Sequence, residues 1–415
     1  MQAHIADLAD FVVASPTSYH AAASIAARLS AAGFTRLDET AEWDTATGKR
    51  FVVRHGAVIA WIAPETLGAG SGARIVGTHT DSPAFKVKPG DHLTSAGWTQ
   101  LGVEVYGGPL LNSWLDRDLG IAGRIVTRDG AEHLVKTGPV CRIPQLAIHL
   151  DRQVNEGLKL DKQQHLQPVL SLLPGGGLMD HLADVADIER EDIAFHDLYT
   201  FDTQRPEVIG LRDEFLASAR LDNLACTHAA LVAMEQAEVG DHVAVFAAFD
   251  HEEVGSATTS GAAGPILEDV LLRIAAGYGL GVDATRAWLR RSACVSADTG
   301  HVVHPNYPNH HDPVVRPLPN KGPLVKINAQ QRYATDAVGT AIWLDACEKA
   351  EVPTQPFVSN NAVPCGSTIG PITATRLGIT TVDVGVGLLS MHSARELVGV
   401  EDPEYLAKAC AAFWA

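Results

Sequence analysis

The chain has 415 residues, 46% hydrophobic and 20% charged, a composition that excludes disordered and fibrous classes and leaves room for roughly two to three domains. Its 49 acidic residues against 32 basic give a formal charge of -17, which excludes nucleic acid and anionic membrane as partners, because both require a basic footprint. No apolar run approaches the roughly 18 residues of a membrane span, Asp7 and Asp10 interrupt the stretch where a secretory signal needs apolar continuity, and six cysteines stand without a CxxC pair, so a soluble cytoplasmic protein with reduced thiols is expected.

Helical spacing is read over residues 4–13 and 20–32, the second ending at Gly33. "FVVRHGAVIAWIA", 51–63, reads as two strands around a His-Gly turn, and "ARIVGTH", 73–79, as a short buried strand. Residues 91–208 differ: "GVEVYGG", "AGRIVTR" and "PQLAIHL" read as strands, with a "PGGG" loop at 174–177 and little helical rhythm. Further on come a helix near 264–278, the strand "ACVSAD", a helix over 334–350 and the strand "TTVDVGVG". This alternation predicts an α/β fold, a mixed and largely parallel sheet flanked by helices, with a mostly β insert. The expected division is 1–90 plus 209–415 for the α/β domain and 91–208 for the insert.

Several strand ends carry chemistry. In "GTHTDSPAFKVKP", 77–89, His79 and Asp81 are two residues apart, so both point to one side of an extended chain at the edge where open α/β sheets present ligand sites; the same pair also suits a solvated turn. "AVFAAFDHEEVGS", 244–256, ends an apolar run in Asp250, His251, Glu252 and Glu253. Acids this close repel unless a positive group sits among them, and adjacent glutamates point different ways, so Glu253 is read as a metal ligand and Glu252 as a base. Asp222, in "SARLDNLACTH", precedes a helix and is equally placed for an N-cap. Asp298 ends a further buried strand, ahead of His301, His304, His310 and His311, which are read as loop or pocket residues. His392, in "GVGLLSMHSARE", follows a strand and a glycine-bearing turn.

His79, Asp222, Glu253, Asp298 and His392 together form a two-histidine, three-carboxylate set, which suits two divalent ions better than one tetrahedral site. Zinc is the expected metal, and Mn²⁺ or Co²⁺ would also be accepted.

The chain resembles the aspartyl aminopeptidase family of dinuclear zinc exopeptidases over nearly its whole length. The ordered matches are "ASPTSYHAA", "GTHTDSPAFKVKP", "LNSWLDRDLG", "IPQLAIHL", "SARLDNL", "DHEEVGS", "HPNYPNHHDP", "KINAQQRYAT", "GSTIGP" and "MHSARE". The resemblance implies that Asp222 bridges the metals, that Glu252 is the general base, and that Asp81 supports the His79 imidazole. It implies that His149 reaches into a partner subunit's active site and that Lys326 lines the substrate pocket, where it faces an acidic side chain. It also implies that the insert is a dimerisation lobe and that dimers build a tetrahedral homo-dodecamer around an inner chamber. The expected activity is removal of one N-terminal residue, Asp or Glu, from peptides. The alternatives are an aminopeptidase of neutral or broad preference, a metal-dependent deacylase, and a non-catalytic self-assembling scaffold.

Overall fold

The computed structural model describes residues 2–43, 45–90, 92–172 and 177–415. Nine strands form the main sheet, in the order Thr35–Arg36, Gly48–Arg54, Ala57–Ala63, Val243–Phe249, Ala73–His79, Ala293–Ala297, Thr380–Gly385, Leu324–Ile327 and Gln355–Val358. The four from Val243–Phe249 to Thr380–Gly385 run parallel to their neighbours, and antiparallel pairs join them to the strands on either side.

The central strands are apolar on both faces because helices cover both. Successive side chains alternate between them. Val58, Ala60, Ile62, Ala244 and Phe246 pack toward the helices Gln2–Ala14, Ser18–Ala31, Leu221–Glu235, Ala337–Lys349 and Asp402–Trp414. Ile59, Trp61, Val243 and Val245 pack toward Ile266–Gly277, Val282–Arg291 and Ile369–Leu377. Gly385 lets two of these strands close up: its φ is +155°, and a Cβ there would lie 1.6 Å from the Asp298 carbonyl oxygen.

The second large sheet is antiparallel, in the order Glu132–Lys136, Leu119–Thr127, Ile193–Asp202, Ala84–Val87 and Val103–Tyr106, and it encloses its own core around Phe85, Ile121, Ile125 and Leu198. This sheet therefore starts at Ala84, ahead of residue 91. The helix Leu178–Ala186 packs into the same core, and it, Val282–Arg291, Ile369–Leu377 and Asp402–Trp414 are helices added to those read from the sequence.

"PQLAIHL" departs from its expected strand: residues 144–150 are irregular and exposed, Leu146, Ile148 and Leu150 are 60%, 45% and 74% exposed, and Gln145 bonds Asp116 instead of a sheet neighbour. Alternating apolar residues make a strand only where a sheet edge receives them. Of the "PGGG" loop, residues 174–176 lie outside the described residues. No helix among the described residues is long and apolar enough to cross a membrane.

Candidate metal centre

The carboxyl ends of the parallel strands converge on one edge of the main sheet. His79 ends its strand with its side chain buried. Its Nε2 lies 3.3 Å from Asp298 Oδ1 and 3.5 Å from Asp222 Oδ1. On the other side, His392 Nε2 lies 3.4 Å from Asp222 Oδ2 and 3.3 Å from Glu253 Oε2. Asp222 therefore stands between the two imidazoles with one oxygen toward each. It opens the helix Leu221–Glu235 with non-helical φ and ψ of -80° and 106° and sends its carboxylate into the site, so the capping reading does not describe it.

Asp81 is held from three directions. It accepts the Glu252 and Glu253 backbone N–H groups at 3.0 and 3.1 Å and the Tyr106 hydroxyl at 2.8 Å, and it faces His79 Nδ1 at 3.3 Å. One carboxylate thus orients an imidazole and fixes the turn that carries both glutamates.

The electrostatics carry an excess of acid. Burial pushes the Glu252 carboxyl up to about 8; His79 opposes this, and the charges of Asp298, Asp81 and Asp222 add to it. Burial and Asp222 likewise hold Glu253 well above the usual carboxylate range. For Asp222, burial opposes ionisation, but His392 and His79 outweigh it and hold the group below its ordinary value. Asp222 Oδ1 and Glu253 Oε1 are buried with no hydrogen-bond partner. Buried carboxylate oxygens left without a hydrogen-bond donor fit a cation. Ligand atoms of His79, Asp222 and Glu253 all lie within 4.8 Å of one another.

The antiparallel lobe adds a strap that the sequence reading missed. Besides the Tyr106 bond to Asp81, the Gly108 carbonyl lies 2.9 Å from His392 Nδ1, and Gly107, at φ +71°, lets the backbone pass so close that a Cβ there would meet Glu253 Cβ at 3.2 Å. The glycine pair after "VEVY" was the available signal, since paired glycines often mark close backbone approach. Ser82 Oγ donates to the Asp222 carbonyl at 2.6 Å and Thr227 Oγ1 to the His79 carbonyl at 2.7 Å.

Lys326 is 1% exposed; its Nζ donates to the Thr299 carbonyl at 2.7 Å and lies 3.5 Å from Asp298 Oδ2, so its carboxylate neighbour within the chain is Asp298. His149 lies on the exposed 144–150 segment. His304 and His311 bond within their own loop, the His304 N–H donating to His311 Nε2 at 2.9 Å.

Residues 11–414 match the family model described as aminopeptidase I zinc metalloprotease (M18). A probable M18 family aminopeptidase 2 of Streptomyces coelicolor is 51% identical over 420 residues, covering 99% of this chain and 97% of its own length. The Ape4 chain in its cryo-EM complex with Nbr1 superposes with a TM-score of 0.96 at 35% identity, covering 100% of this chain and 85% of that one. The Saccharomyces cerevisiae mApe1 dodecamer superposes at 0.86 and 29% identity, covering 98% and 95%. With a match that spans nearly every residue, the chain belongs to the M18 family of zinc metallo-aminopeptidases.

Proposed function

We propose that this chain is an aminopeptidase that works with a pair of divalent cations, zinc in the first place, and removes one N-terminal residue from peptides, preferring Asp and Glu. The observation that carries the reading is the division of donors around Asp222: His79 with Asp298 on one side, His392 with Glu253 on the other. A shared carboxylate between two such half-sites suits two ions better than one.

Cations held there would supply Lewis acidity, lowering the pKa of a water and polarising the scissile carbonyl. The remaining work falls to side chains. Glu252 takes the proton from the attacking water and returns it to the leaving amine, a contribution of about 10² to 10⁴ in rate. Asp81 keeps the His79 ring in position with the tautomer that leaves Nε2 free. Lys326, buried between the Thr299 carbonyl and Asp298, acts on the substrate side of the site through its charge and favours an acidic residue, and His149 completes the site of a partner subunit.

The insert expected over 91–208, whose sheet also takes in Ala84–Val87, forms the dimerisation lobe, the rest of 1–90 with 209–415 forms the catalytic domain, and dimers assemble into a homo-dodecamer, as the mApe1 assembly suggests. The described cysteines are all free, in keeping with a cytoplasmic protein.

The test is hydrolysis of Asp-, Glu-, Leu- and Gly-terminated peptides by the zinc-loaded protein, beside an N-acetylated amino acid and a Glu252→Gln variant. Acidic termini should be cleaved fastest, and Glu252→Gln should lose at least about 10² in kcat while keeping its metal. A preference for Leu would overturn the acidic specificity. Activity confined to the N-acetylated substrate would indicate a deacylase, and no turnover at all a scaffold. Unchanged hydrolysis by Glu252→Gln would overturn the role of the base.

A further inference from the structure

We infer that Glu396 is the positioning residue that holds Asp222 and His392 at cation-binding distance from one another, an assignment that rests on the two-cation reading above. Glu396 opens the strand Glu396–Gly399, in register with Ser218 of the neighbouring strand Phe215–Ser218. That neighbour runs through Ala219 and Arg220 to Asp222, while on the other side the turn at 390–395 leads back to His392. The Glu396 side chain, 3% exposed, therefore sits at the junction of the two segments. Its two oxygens serve one each: Oε2 accepts the Asp222 backbone N–H at 2.9 Å, and Oε1 accepts that of His392 at 2.7 Å.

Of the two residues it holds, His392 is left-handed at φ +65°, a conformation that persists only where the surroundings over-determine it, and Asp222 is extended where its helix starts. A carboxylate that grips both N–H groups ties the His392 turn to Asp222, 174 residues before Glu396 in sequence, so the gap between the Asp222 carboxylate and the His392 imidazole is set before any ion arrives. An amide does not replace it, because Gln offers one acceptor and turns an NH₂ group toward the second N–H. Asp keeps the carboxyl group but is one methylene too short to reach both.

A comparable carboxylate elsewhere supplies the control. Asp402, also buried, accepts the Asn320 and Gly322 backbone N–H groups at 2.8 and 2.9 Å but bonds neither Asp222 nor His392. If Glu396 matters only as a buried acceptor of two N–H groups, Glu396→Gln and Asp402→Asn will behave alike.

The experiment strips the full-length protein with chelator and titrates it with Zn²⁺ against a chromophoric competitor, for wild type, Glu396→Gln, Glu396→Asp and Asp402→Asn, with thermal unfolding of each metal-free protein in parallel. Both Glu396 variants should bind the weaker zinc equivalent about 10 to 100 times less tightly, while Asp402→Asn lowers the unfolding temperature and keeps wild-type affinity. Wild-type affinity, within twofold, in either folded Glu396 variant would overturn the assignment, as would an equal loss in Asp402→Asn. Wild type binding fewer than two ions per subunit would overturn the two-cation reading, and the Glu396 assignment with it.

Discussion

Replacing Asp81 by alanine should damage stability and cation binding together. Asp81 is 4% exposed and accepts the Glu252 and Glu253 backbone N–H groups and the Tyr106 hydroxyl. Each bond from a peptide N–H to a buried carboxylate contributes about 1.5–3 kcal/mol, so losing the two should cost the metal-free protein about 3–6 kcal/mol. Typical domains hold only about 5–15 kcal/mol in total. The His79 ring loses the carboxylate beside Nδ1 in the same step and keeps only the Asp81 backbone carbonyl at 3.1 Å, which should weaken zinc binding by about 10-fold, the low end of such losses. Urea unfolding of the chelator-treated variant gives the first number and competitive zinc titration the second. Asp81→Asn, which keeps one acceptor, should fall between wild type and alanine. An Asp81→Ala variant within about 1 kcal/mol of wild type, with unchanged zinc affinity, would refute the reasoning.

Gly385→Ala would place a methyl group 1.6 Å from the Asp298 carbonyl oxygen and should destabilise by more than about 4 kcal/mol, with loss of bound zinc by elemental analysis; Gly138→Ala, with nothing within 4 Å of the added carbon, is the neutral control. Burial lowers the His20 imidazole from its ordinary value of 6.5 to about 4, with Lys136 and Arg220 adding to the effect. Its stabilising contribution is therefore complete above pH 6.5 and lost as the pH falls toward 4, about 3 kcal/mol by linkage, and a His20→Gln variant should show a flatter unfolding temperature across that window. In the metal-free site burial pushes Glu252 up to about 8, and although burial opposes the charge on His392, Asp222 and Glu253 raise it to about 10. Protons held at neutral pH must leave as the cation enters, so zinc affinity should rise as the pH climbs through about 8 and level off only near about 10; calorimetry in buffers of different ionisation enthalpy should record proton release, and a pH-independent affinity would contradict this.

The main sheet was legible because its strands are covered on both faces. "AVFAAF" and "ARIVGTH" are unbroken or nearly unbroken apolar runs, and the polar residues that end them stand out for that reason. Where a segment depends on a distant partner, the signal disappears. Gly108 meets His392 across 284 residues, and nothing local in "VEVYGG" identifies the histidine it meets. Glu396 belongs to a motif that the sequence displays, yet its role lies in two backbone N–H groups that only the folded chain brings to it. "PQLAIHL" failed in the opposite sense: its alternation is that of a strand, but the fold offers it no sheet edge and leaves its leucines in solvent. The helix Val282–Arg291 was missed although its residues alternate with a helical period, because only Thr285, Trp288 and Leu289 face inward and the segment as a whole is polar enough to pass for a loop.

Crystals of the zinc-loaded protein, measured on both sides of the zinc absorption edge, test the central claim most directly. Two anomalous peaks about 3.5–4 Å apart are expected, one against His79 and Asp298, the other against Glu253 and His392, with Asp222 in contact with both. A single peak, or peaks away from Asp222, would contradict it.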